Sequence, residues 1–92
     1  DHGQGLIRFC RELSAIMIRR YMVERDVETL RDRFRASLVT TLKCTEPQAL
    51  CLVELTLELI HARLHGNYRR SPVELSYLIG VATGAVRNLS VN

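Results

Sequence analysis

The sequence predicts an all-α fold of four to five helices, with a helical core followed by a shorter C-terminal helical unit. Three observations predict it. Apolar residues recur at three- and four-residue spacing along most of the chain, two capping boxes mark helix starts, and no stretch alternates apolar and polar residues as a strand does. The 92 residues, 47% apolar and 25% charged, read as a single all-helical domain over residues 1–92.

Gly5 to Val23 sets Leu6, Phe9, Cys10, Leu13, Ile16, Met17 and Tyr21 at helical spacing, with Arg8, Arg11, Glu12 and Arg19 opposite them. Asp26 can cap a second helix, in which Val27, Leu30, Phe34, Leu38 and Leu42 form a narrow stripe. Beside it lies a charged face of Arg31, Asp32, Arg33 and Arg35, read as solvated and laced with short-range ion pairs. Thr45-Glu46-Pro47-Gln48 has the form of a capping box and opens a third helix that Gly66 can close. From Ala49 to Leu64 that helix is apolar around most of its circumference. It leaves one thin stripe of Glu54, Glu58, His61 and His65, expected to face solvent or an interface. A helix this apolar belongs at the centre, covered by its neighbours or paired with its counterpart in a homodimer, and the homodimer is the expectation. Residues 1–66 would then be the helical core and the dimerisation part.

Asn67 to Arg70 form a polar connector to Ser71-Pro72-Val73-Glu74, a second capping box with Pro at the first helical position. Pro72 to Leu89 reads as two short helices about a tight turn at Gly80, with Leu75, Ile79, Val81, Val86 and Leu89 inward and small Ser76 at the crossing. On these residues, segment 71–90 resembles the helix-turn-helix of bacterial and phage DNA-binding proteins. The layout of a long apolar helix, a glycine, a connector and then this unit is also loosely similar to that of tryptophan-repressor-like regulators.

The resemblance implies a homodimer that binds double-stranded DNA and regulates transcription, with one reading head per subunit placed in successive major grooves about 34 Å apart. Carried over by position, Ala82, Thr83, Gly84, Arg87 and Asn88 would face the groove. Arg87 would read guanine, Asn88 adenine, and Thr83 a phosphate or a thymine methyl. Arg69 and Arg70, with Arg63, would hold phosphates, and four arginines against one glutamate over residues 61–92 suit that role. The alternative is a helical protein-interaction module, such as an adaptor, an anti-activator or a secretion-type chaperone, whose apolar helix surfaces meet a protein partner.

Other functions are less well supported. Glu58-Leu59-Ile60-His61 matches the Glu-x-x-His ligand pair of di-iron bundles, but the chain holds no second such pair, so no metal and no cofactor are expected. No nucleophile has a base and an orienting partner, and no glycine loop suits phosphate, so no enzyme is expected. The net charge of +3 is a modest bias. Three irregularly spaced cysteines, Cys10, Cys44 and Cys51, suit reduced thiols in a cytoplasmic compartment. No apolar run is long enough for a membrane span, and arginines interrupt Leu6 to Val23 where a secretory leader would be apolar.

Overall fold

Helix starts need donors satisfied, and the sequence supplies acceptors at three of them. Asp26 accepts from the Glu28 N–H at 3.1 Å and from the Thr29 hydroxyl at 2.7 Å. The Gln48 N–H donates to Thr45 Oγ1 at 3.2 Å, and the Thr45 N–H donates to Gln48 Oε1 at 3.0 Å, which closes the first capping box. The second closes in the same way between Ser71 and Glu74, at 3.0 and 3.2 Å. In the computed structural model, which describes the backbone of residues 2–90 and the side chains of residues 4–87, these caps open three of four helices. The helices are α1 (His2–Tyr21), α2 (Val27–Leu42), α3 (Glu46–His65) and α4 (Pro72–Ser90), with no strand among the described residues.

The helix ends differ in their strain. Gly66 ends α3 at φ +80° and donates its N–H to the Ala62 carbonyl at 2.7 Å, a conformation that glycine adopts without penalty. Lys43 ends α2 in the same left-handed region, at φ +56°, where a Cβ is unfavourable.

α3 is the central element and packs against all three others. Its Ala49, Leu52, Val53 and Thr56 are fully buried. α1 contributes Leu6, Cys10, Leu13 and Met17, a stripe at i, i+4, i+7, i+11, while Ile16 and Tyr21 point outward. α2 contributes Leu38 to the common core and buries Leu30, with Phe34 and Leu42 half-buried against the core. Its first residue, Val27, is exposed. No helix among the described residues is long and apolar enough to cross a membrane.

The C-terminal segment departs from expectation. Pro72 to Ser90 is one continuous helix with no turn at Gly80, so the helix-turn-helix arrangement is absent. The reason is a single buried stripe, Leu78, Ala82, Ala85 and Val86, whose spacing runs past Gly80 without a break in phase. Burying that stripe against α1 and α3 outweighs the roughly 1 kcal/mol that each helical glycine costs. Ile79, expected inward, and Ser76, expected at the crossing, are exposed, and Leu78 takes the inward place. Leu89, also expected inward, has its side chain outside the described residues. Gly84 faces the capping box of α3: a Cβ there would lie 2.8 Å from Nε2 at the end of the Gln48 side chain, which would have to shift to admit it.

A Cβ at Gly80 would meet nothing within 4 Å, and the residue is helical and exposed. Gly80→Ala is therefore expected to stabilise the fold by about 0.5–1 kcal/mol, measured as a higher urea midpoint. A turn with positive φ at this position would give the opposite sign. Lys43→Gly is expected to gain a similar amount by relieving the left-handed cap.

Candidate functional site

The polar stripe of α3 divides in two: His61 and His65 at its C-terminal end are half-buried and exposed, whereas its glutamates lie in the interior. Glu58 is 0% exposed and Glu54 only 8%. Gly66 reverses the chain, and the connector that follows lies back along the stripe and supplies its counter-charges. Glu58 Oε1 accepts the backbone N–H groups of Arg69 at 2.9 Å and Arg70 at 3.2 Å, while Oε2 accepts the Arg69 Nε–H at 2.9 Å. Glu54 is held between two guanidinium groups, with Arg70 Nη2 at 2.6 Å on one oxygen and Arg31 Nε at 2.5 Å on the other. Arg31 also pairs with Glu28, and Arg70 reaches Glu74 at 3.8 Å. His61 Nδ1–H donates to the Asn67 carbonyl at 2.9 Å, and its ring lies 4.5 Å from that of His65.

The stripe thus docks the connector and α2 onto α3. Burial alone would raise the Glu58 pKa, but the backbone donors of Arg70 and Arg69 and the Arg69 guanidinium outweigh it and hold the carboxyl below its usual range. On α2, the charged face is only partly solvated. Arg31 and Arg35 reach across to Glu54 and Glu46 of α3, alongside the short-range pairs of Arg31 with Glu28 and Arg35 with Asp32. Burial pushes the thiols of Cys10, Cys44 and Cys51 up, which keeps all three protonated near neutral pH.

These contacts decide what becomes of the residues expected to read DNA. Arg69 and Arg70 are committed to Glu58 and Glu54. Ala82 is 0% exposed, on the core side of α4, where no base edge can reach it. The Thr83 hydroxyl donates to the Ile79 carbonyl at 2.6 Å within its own helix, and Gly84 faces Gln48. Arg87 is exposed in the last turn of α4, and the Asn88 side chain lies outside the described residues. With Ala82 turned inward and Arg87 outward, the set does not share one surface.

A different surface is open. Between α1 and the C-terminal half of α3 runs a groove of about 980 Å³. Its α1 wall is Ile7, Arg11, Ser14 and Ile18, spaced i, i+4, i+7, i+11, and its α3 wall includes Leu59, Ile60, Arg63 and Leu64. Ile7 is 50% exposed, Ile18 46% and Leu64 74%, so the apolar lining is wet. The Ser14 hydroxyl donates to the Arg11 carbonyl at 2.7 Å, leaving the floor largely aliphatic. Sequence reading missed this second face of α1. Its signal was arithmetic: Ile7 and Ile18 remain over once the four-residue core stripe is subtracted, and they lie on the same line of the helix. A smaller recess of about 540 Å³ opens where Arg31, Leu50, Glu54, Arg70 and Tyr77 meet, and its charged walls are already paired.

The ion cluster yields a pH prediction. Glu58 has a folded pKa below its unfolded value of about 4.3, so its contribution is fully present above that pH and is lost as pH falls through the folded value. Urea midpoints should therefore be flat from pH 7 to 5 and fall steeply below about pH 4.3. Glu58→Gln should lower stability by about 2 kcal/mol at pH 7, since charged hydrogen bonds are lost at a buried site, and should make the acid decline shallower. No protein-family model, no curated protein and no solved structure matches this chain.

Proposed function

We propose that this chain is a helical protein-interaction module that receives an amphipathic helix of a partner in the groove between α1 and α3. The observation that carries this reading is the wet aliphatic lining: Ile7, Ile18 and Leu64 stay about half to three-quarters exposed at one place on a small molecule. Contiguous exposed apolar surface of this kind marks binding sites, and a trough between two helices has the form that accepts a third. The alternative, a DNA-binding homodimer, loses support with its reading head, because Pro72 to Ser90 is one helix and Arg69 and Arg70 neutralise buried glutamates.

Titration of the ¹⁵N-labelled protein with a Leu-patterned helical peptide bearing only neutral polar residues tests the reading. Amide shifts are expected at Ile7, Ile18, Leu59 and Leu64, and Ile18→Glu together with Leu64→Glu should abolish them. In parallel, a 20-base-pair duplex at low salt should leave α4 unmoved. Saturable shifts at Thr83 and Arg87 with the duplex, and none in the groove with the peptide, would overturn the proposal in favour of DNA.

A further inference from the structure

Resting on the protein-binding reading above, we infer that the occupant of the α1–α3 groove is an acidic amphipathic helix, one with carboxylates flanking a short apolar stripe, and not a second copy of this chain. The inference starts from where charge sits around the groove. Arg11 and Arg63 are part of its lining, one on each wall. Arg8 and Arg19 each lie one residue past a groove residue on the exposed flank of α1, and both are exposed. α1 as a whole carries four arginines against the single acid Glu12. On α3 and beyond, no acidic residue falls between Glu58 and Glu74, and Glu58 is neutralised in the interior. An aliphatic trough therefore has a cationic wall on both sides.

That combination selects among occupants. A partner helix entering the trough must place its own flanking side chains against Arg11 and Arg63, and carboxylates there are attracted while ammonium groups are repelled. A second copy applying the same face would set Arg11 and Arg63 of one molecule against the same arginines of the other, because a two-fold interface is self-complementary. The cationic rim thus disfavours self-pairing through this face. The dimensions bound the occupant as well. Ile7 to Ile18 spans eleven residues of α1, about 16 Å, so the occupant engages with about three turns and anchors at i, i+4 and i+7.

The experiment is a display selection on the whole chain with a library of 16-residue helices. Leucines are fixed at i, i+4 and i+7, and flanking positions are drawn from Glu, Gln and Lys. Selected helices are expected to carry Glu at the flanks. The Glu form should bind about tenfold more tightly than the matched Lys form at low salt, with the ratio shrinking as salt is added. Arg11→Glu with Arg63→Glu should invert the preference, and both residues lie at the surface of the groove, so the fold is kept. Binders with no charge preference would overturn the acidic occupant while leaving the protein-binding reading intact. Failure to select any helix over the level retained by the Ile18→Glu/Leu64→Glu variant would overturn both. Sedimentation showing a concentration-dependent dimer that this same variant dissolves would identify the occupant as a second copy and overturn the inference.

Discussion

Two carboxylates inside the protein govern the placement of everything except α1. A charge buried without a partner is far too costly for a domain of this size to carry, so Glu54 and Glu58 require guanidinium groups and N–H donors at fixed points. Arg31 supplies one from α2, and Arg69 and Arg70 supply the rest from the connector. Because hydrogen bonds are directional where apolar packing is not, the cluster sets the register of α2 and of the connector on α3. The entry of α4 follows, since Ser71 begins its capping box one residue after Arg70. An interior of leucines alone would allow α2 and the connector to slide along α3, and the ion cluster forbids it.

The same constraint bears on function. Arginines ahead of a C-terminal helix look like phosphate clamps in a linear reading, but here their charge is consumed by the interior. The exposed cations that border the aliphatic trough are others: Arg8, Arg11 and Arg19 on α1 and Arg63 near the end of α3. Of the chain's basic residues, some thus compensate interior carboxylates and others border an aliphatic trough. Composition cannot separate these two uses, because a buried pair and an exposed arginine contribute identically to a count.

Much of the fold was legible because its signals are local. Thr45 with Gln48, Ser71 with Glu74, Asp26 and Gly66 each act within a few residues, and all four took the roles their spacing implied. The misreadings came where a local signal competes with a distant one. Gly80 suggested a turn, but Leu78, Ala82 and Ala85 were already in phase across it, and the burial of that stripe against α1 and α3 decided the outcome. Glu54 and Glu58 suggested a wet face, since no arginine or lysine lies within a turn of them. Their partners lie eleven to twenty-three residues away in sequence, and only the reversal at Gly66 and the packing of α2 bring them close. The groove was illegible for a related reason. Ile7 and Ile18 stand out as a second apolar line only once the core stripe of Leu6, Cys10, Leu13 and Met17 is known to be complete without them.

α1 stands apart from this network, and the difference matters for what the groove can do. Among the described residues the ion pairs join α2, α3, the connector and α4, whereas α1 is seated by Leu6, Cys10, Leu13 and Met17. Contacts of that kind are close-packed but carry less directional information than the ion pairs that set α2 and the connector. One wall of the trough therefore belongs to the part of the molecule that the ion pairs join, and the other to a helix seated chiefly by apolar packing, with Cys10 hydrogen-bonded to Thr56 of α3. The buried cluster and the groove lie on two sides of one division: ion pairs gathered on one side of α3, and chiefly apolar contacts, with the Cys10–Thr56 hydrogen bond, on the side facing α1.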